Sequence, residues 1–460
     1  MKPKQAIEPS NVHKFLNRYM QADGYDLVLD LEKSKSPYLH DAKSGRDILD
    51  FFTFFASSPL GMNHDRIAGD PEFVQKLGKI AINKPSNSDI YTREMAEFLE
   101  KFSRIGIPDY LPYTFFISGG ALAVENALKV AFDWKVQKNF AKGYREERGH
   151  KVLHLEQAFH GRSGYTLSLT NTDPVKTKYF PKFDWPRIIN PTMNFPMNEE
   201  NTQQVELLEK QAFAQAERYF EMYPDDIACI LLEPIQGEGG DNHFRPTFHQ
   251  GLRDLADRHD ALLIYDEVQT GVGLTGKFWC HEYFVKPDMI AFGKKAQVCG
   301  ILASDRIDEI ETNCFHVSSR INSTWGGNLV DMVRFGRILD VIEEENLVEN
   351  AAENGNYLQE HLREVSSRNE WFSNPRGRGL LCAIDLPDTG MRNAVIKECM
   401  KNNLIILGCG TRTIRFRPPL TIRKEQLDQG VEILEQSTVN VANRQVSTKQ
   451  SPVGNLQNGN

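Results

Sequence analysis

Two apolar patterns alternate along the middle of this chain. Short unbroken runs, Ala261 to Tyr265 and Met289 to Phe292 among them, read as strands buried on both faces of a mostly parallel sheet. Tyr113 to Ile117, the stretch KVLHLEQAFHGRSGYTLSLT, with PheHisGlyArg at its strand's end, and DIACILLEPIQGEGG, a strand and turn carrying Glu233 and Glu238, read as further strands. Between them the apolar residues recur at helical spacing, as with Met95, Phe98, Leu99 and Phe102, or Val124, Ala127, Leu128 and Ala131. A further helix is predicted over 248–259. This β–α alternation predicts an α/β fold with a large doubly wound sheet.

The two ends of the chain differ from the middle. Residues 11–22 predict a helix capped by Ser10 or Asn11, and YLHDAKSGRDILDFF predicts a hairpin turning at Lys43-Ser44-Gly45-Arg46. FFASSPLGMNHDRI, apolar yet punctuated by Gly and Pro, reads as a loop feeding a functional site. From about 331 the pattern is helical. The strand GRGLLCAIDL, a helix over 390–402 and the run GTRTIRFRPPLTI then suggest a smaller α+β lobe. Arg412, Arg415 and Arg417 are expected to share one face of that last strand. The predicted division is an N-terminal segment 1–75 contributing to the small domain, a large domain 76–330, and a small domain 331–436. A polar tail, 437–460, is expected to be disordered.

Composition narrows the function. The 460 residues include 54 basic and 62 acidic side chains, a net charge of −8, and no basic stripe suggests a nucleic-acid partner. No apolar run approaches the roughly 20 residues of a membrane span. The start MKPKQAIEPSNVHKFL lacks the apolar core of a signal peptide, and Glu8 argues against a transit peptide. Seven scattered cysteines form no CxxC, so they read as reduced packing thiols of a cytoplasmic protein, with no metal site expected.

The chemistry enters at the strand ends. The run before Asp266 and the run before Gly293-Lys294 each finish on a functional group, and ligands of open α/β sheets sit at such carboxyl ends. Taken alone, an Asp there is a cap and a Lys a solvated charge. Together they match the needs of pyridoxal 5'-phosphate (PLP): a lysine to form a Schiff base with the aldehyde, and a carboxylate to partner the pyridinium nitrogen. The turn Ser118-Gly119-Gly120-Ala121 before a helix offers backbone N–H groups at the positive end of the helix dipole, an anion site suited to a phosphate. Arg162, after Phe159-His160-Gly161, offers a bidentate carboxylate fork.

The stretch DEVQTGVGLTGKFW followed by PDMIAFGK resembles the signature of the class III (ornithine aminotransferase-like) transaminases. It departs from the commoner form at Val272 and Leu274, where Phe and Arg are usual, and in GlyLysLys, where AlaLysGly is frequent. These departures resemble the lysine 6-aminotransferase branch. The resemblance runs over about residues 35–436.

It implies a PLP-dependent transferase of fold type I, with a large doubly wound mixed-sheet domain and a small α+β domain. Lys294 would be cofactor anchor and proton shuttle, Asp266 would hold the pyridinium, and Gln269 would touch the cofactor's phenolic oxygen. Val268 and Phe159 would pack on the ring, and Gly120 and Ala121 would donate to the phosphate. Thr324, in HVSSRINSTWGGN, would reach the phosphate of the neighbouring subunit's cofactor, implying a homodimer with shared sites. Arg162 would take the distal carboxylate of either substrate. Glu238 would cover Arg415 for L-lysine and release it for 2-oxoglutarate. The implied reaction yields 2-aminoadipate 6-semialdehyde and L-glutamate. The alternatives are a 4-aminobutyrate, ornithine or other ω-amino acid aminotransferase, or a non-catalytic PLP-binding protein.

Overall fold

The computed structural model describes residues 7–450, with side chains through residue 444. Its largest sheet has seven strands in the order Tyr113–Ile117, Cys299–Ala303, Met289–Phe292, Leu262–Asp266, Ile227–Leu232, Lys151–Leu155, Arg187–Ile188. Only Cys299–Ala303 runs against the others. All residues of Ile227–Leu232, Leu262–Asp266 and Met289–Phe292 are buried, which is why these strands read as unbroken apolar runs.

The two-residue period of a strand divides these side chains between two cores. Leu153, Ile230, Leu232, Leu263, Tyr265, Ile290 and Phe292 belong to one. Val152, Cys229, Leu231, Leu262, Ile264, Met289 and Ala291 belong to the other, packed with Val124, Ala127, Leu128 and Trp134 of the helix Gly120–Ala141. On the first side, helix Arg93–Ile105, capped by Thr92 accepting from the Met95 N–H, buries Phe98 and Phe102. Both rings meet Phe335 of helix Leu329–Glu344.

Two smaller sheets flank this body. Tyr38–His40 and Asp47–Asp50 form the expected hairpin, to which Leu404–Ile405 adds in parallel. Ser373–Arg378, Leu381–Asp385, Thr413–Phe416 and Leu407–Cys409 make an antiparallel sheet of four.

Four expectations change. The N-terminal helix over 11–22 shrinks to Val12–Leu16 behind a 3-10 turn, because none of its residues is buried to hold it. The helix expected over 248–259 starts earlier, at Pro246, whose fixed φ and missing N–H suit a first turn. Arg412 does not share a face with Arg415 and Arg417. It differs from them in parity, precedes the strand and is exposed, with Nε 3.5 Å from Asp385. The tail is not structureless from Ser437. Helix Lys424–Gln450 carries through it, and Ser437 and Thr438 are fully buried. Residues 451–460 lie outside the described residues.

Candidate active site

The carboxyl ends of the parallel strands open onto one cavity of about 520 Å³. Gly120, Ala121, Phe159, Arg162, Glu238, Asp266, Val268, Gln269, Lys294 and Arg415 all line it. Thr324 does not: it is exposed on this chain, outside the cavity. The loop expected to feed the site does so. Thr53–Ala56 forms a left-handed turn of four non-glycine residues with φ of 39 to 62°, and Phe54, Phe55 and Ser57 line the cavity. Such residues resist that conformation, so the turn needs anchors. Asp50 accepts from the Phe52 and Thr53 N–H groups, Thr53 donates to the Arg417 carbonyl, and Lys295 donates to the Ala56 carbonyl.

Lys294 follows strand Met289–Phe292 through Gly293, where a Cβ would lie 2.8 Å from the Cys299 sulfur. Its backbone is itself left-handed (φ 48°). Burial lowers the Lys294 amine to about 8; Arg415 adds to the drop, while Asp266 and Glu233 oppose it. Lys295 is buried elsewhere, donating to the Gln269 and Ala56 carbonyls at 2.5 and 3.2 Å. The two neighbours therefore divide sharply: one amine faces the cavity, the other ties the cavity wall together.

Asp266 ends the adjacent strand. Its Oδ1 accepts from the Val268 N–H at 3.0 Å, and Oδ2 lies 2.8 Å from Nδ1 of His160. Glu233, at the end of the next strand, accepts from the N–H groups of Phe159 and Gly237 at 3.2 Å each. Burial raises it to about 7.

Two arginines, Arg162 and Arg415, also line the cavity. Arg415 is 1% exposed, donates from Nη2 to Glu238 at 2.7 Å, and leaves Nε and Nη1 with no protein partner. Arg417 beside it is spoken for. It pairs with Asp241 at 2.5 Å, both side chains fully buried, and donates to the Gln269 side-chain oxygen at 3.0 and 3.2 Å. Arg162 is exposed, with its guanidinium 5.8 Å from the Phe159 ring centre.

The helix from Gly120 presents its first turn to the cavity. A Cβ on Gly120 would stand 2.9 Å from Val268, so only glycine lets the helix start approach that residue. First-turn N–H groups have no partner within their helix, and the dipole there favours anions.

Several participants escaped the sequence. His160 stands in Phe159-His160-Gly161 with no local sign of a role, and Glu233 is marked only as a carboxylate of the stretch DIACILLEPIQGEGG. Asp241 carried no local signal at all.

A buried lysine amine facing the cavity, a buried carboxylate ending the next strand and a helix start open to an anion fit what PLP needs on a fold of this topology: an anchor for its aldehyde, a partner for its ring nitrogen and a seat for its phosphate. The sequence matches the aminotransferase class-III family over residues 19–438, and the chain belongs to that family. It is 52% identical over 430 residues to the L-lysine-epsilon aminotransferase of Amycolatopsis lactamdurans, covering 93% of this chain and 95% of that one. It is 31% identical to a probable mitochondrial 4-aminobutyrate aminotransferase of Caenorhabditis elegans, covering 92% and 90%. The lysine aminotransferase of Mycobacterium tuberculosis, solved in its internal aldimine form, superposes with a TM-score of 0.93 at 52% identity, covering 95% of this chain and 100% of that one. An ornithine aminotransferase from Toxoplasma gondii, 21% identical, shares the fold (TM-score 0.78, covering 95% and 96%).

Proposed function

We propose that this transaminase moves the ε-amino group of L-lysine to 2-oxoglutarate, giving 2-aminoadipate 6-semialdehyde and L-glutamate, as a cytoplasmic homodimer. Its far higher identity to L-lysine-epsilon aminotransferases than to a 4-aminobutyrate enzyme supports the donor. The observation that carries the reading is the half-used guanidinium of Arg415, in the same cavity as Arg162.

The two substrates pose opposite problems. Lysine reacts at its ε-carbon, far from its own carboxylate, whereas 2-oxoglutarate has a carboxylate beside the reacting carbon. Arg162 takes the distal carboxylate of each. Arg415 serves only the second substrate, through Nε, Nη1 and the Nη2 that Glu238 occupies here. With Glu238 in place its charge is balanced, so a carboxylate-free methylene chain can lie against it. Asp241 and Arg417 fix Gln269 at the side of the site.

When bound, PLP supplies an aldehyde to receive the amino group and a ring that withdraws electrons. In this reading Gly120 and Ala121 hold its phosphate through their N–H groups, with Thr324 from the partner subunit. Phe159 and Val268 pack on the ring. Asp266 accepts from the ring nitrogen, and His160 orients that carboxylate. Lys294, whose amine sheds its proton readily, removes and returns the proton at the carbon that carries nitrogen. Residues 76–330 form the unit that holds the cofactor, and the described residues up to 75 with 331–436 the smaller one beside it.

The test is isotopic. Lysine carrying ¹⁵N at the ε position should deliver the label to glutamate, whereas α-labelled lysine should not. Faster conversion of the cofactor by 4-aminobutyrate or ornithine than by lysine would refute the assignment of the donor.

A further inference from the structure

Glu238 has a second partner, which neither the motif nor the reaction called for. Its Oε2 accepts from Arg415 Nη2 at 2.7 Å, while its Oε1 accepts from the Lys176 amine at 2.6 Å. Lys176 ends the 3-10 turn Pro174–Lys176, which Asp173 caps by accepting from the Val175 N–H. The amine also reaches the Thr172 hydroxyl at 3.3 Å and stands 5.3 Å from the Phe159 ring centre. It does not line the cavity and touches no other carboxylate among the described residues. Burial alone would raise the Glu238 carboxyl, but Arg415 and Lys176 outweigh it and hold it below its usual value.

We propose that Lys176 is a positioning residue of the substrate gate, the partner that keeps Glu238 when Arg415 is handed to an α-carboxylate. The inference rests on the reading of Glu238 and Arg415 given above.

The argument is one of charge balance. In the closed arrangement one carboxylate sits between two cations. Glu238 is only partly buried, but moving it off Arg415 with no other partner would still forfeit a charge-assisted pair without replacing it. Lys176 removes that obstacle, because its bond to Oε1 uses the oxygen that Arg415 does not. When the α-carboxylate of 2-oxoglutarate arrives, it and the three charges already there become two balanced pairs: Arg415 with the substrate, and Glu238 with Lys176. Lysine brings no carboxylate to Arg415 and leaves the trio closed. The side chain of Lys176 therefore favours the open state, and with it the acceptor half-reaction.

The holoenzyme carrying Lys176→Met tests this. Its two half-reactions are followed separately by cofactor absorbance. Binding of glutarate, which has both carboxylates but no reactive carbonyl, is measured by calorimetry. The 2-oxoglutarate half-reaction and glutarate affinity should weaken about tenfold more than the lysine half-reaction, a coupling of ordinary size. Lys176→Arg should restore both. In a Glu238→Gln background, where no carboxylate needs a partner, Lys176→Met should add no further bias. Equal losses in both half-reactions, or a bias that persists in the Glu238→Gln background, would overturn the inference. Either could occur while wild type still transfers ε-nitrogen from lysine to glutamate, so the parent reading would survive. A wild type that fails that transfer would remove the parent reading instead.

Discussion

Nδ1 of His160 lies 2.8 Å from Oδ2 of Asp266, and both side chains are buried. A carboxylate can only accept, so the hydrogen sits on Nδ1, leaving Nε2 with no partner. The main chain that carries the ring is itself held: the backbone N–H groups of His160 and Gly161 both donate to the Thr170 hydroxyl oxygen. The imidazole is thus a built support for the carboxylate proposed to meet the cofactor's ring nitrogen.

Replacing His160 by Phe should weaken PLP retention by roughly ten- to a hundredfold, the effect of losing a hydrogen bond of roughly 1.5–3 kcal/mol to a charged group. Asp266→Asn should do worse, because a neutral amide cannot keep the ring nitrogen protonated, and most activity should go with the cofactor. Titrating apoenzyme with PLP gives both affinities. Unchanged retention in the His160 variant would reduce that contact to core packing.

Lys294 should carry the cofactor, and Lys295 should not. Borohydride reduction followed by peptide mapping should find the label on Lys294 alone. Its amine, lowered to about 8 from an ordinary 10.5 by burial, becomes neutral as pH rises through about 8. Capture of PLP by apoenzyme should therefore accelerate across that pH, well below where a surface lysine would respond. Lys295→Met should instead lower the melting temperature, since its amine bridges the Gln269 and Ala56 carbonyls. Label on Lys295, or capture that rises only near pH 10, would contradict this division.

Glu233 should make stability fall as pH rises. Burial lifts its folded pKa to about 7 from an ordinary 4.5, so between those values the folded protein binds the extra proton. The carboxyl's contribution is then complete below about pH 4.5 and lost by about pH 7, on the order of 3 kcal/mol in all. Glu233→Gln cannot titrate. Its melting temperature relative to wild type should climb across that window and level off above it. Parallel pH profiles for the two proteins would refute the shift.

What the sequence disclosed follows from distance along the chain. The buried strands were legible because both their faces are apolar, and Asp266 and Lys294 because each ends such a strand inside a long motif. His160 meets Asp266 across 106 residues, and Lys176 meets Glu238 across 62; only the folded sheet brings these pairs together. The helix Lys424–Gln450 was hidden by composition. Polar Ser437 and Thr438 pack there fully buried, with Ser437 taking a bond from Asn402 and Thr438 donating to the Leu434 carbonyl. Arg415 and Arg417 share parity and burial, yet only their partners separate a guanidinium already fully engaged from one with donors to spare.

The gate itself makes the sharpest prediction. If Glu238 covers Arg415, Glu238→Ala leaves that guanidinium permanently available, and α-carboxylates beside the reacting carbon should bind better. The enzyme should then begin to accept the α-amino group of lysine or glutamate in competition, and the ε-specific half-reaction should slow. Arg415→Ala should act in the opposite sense, harming the 2-oxoglutarate half-reaction more than the lysine one. Arg162→Ala should impair both, because both substrates place a distal carboxylate on it. Single-turnover absorbance of each half-reaction separates these cases, where steady-state constants would mix them. Were the 2.7 Å contact an ordinary structural ion pair, removing either partner would lower stability and slow the two halves alike. An α-selectivity that stays at the wild-type level in Glu238→Ala, with Arg415→Ala showing no preference between halves, is the outcome the gate does not survive.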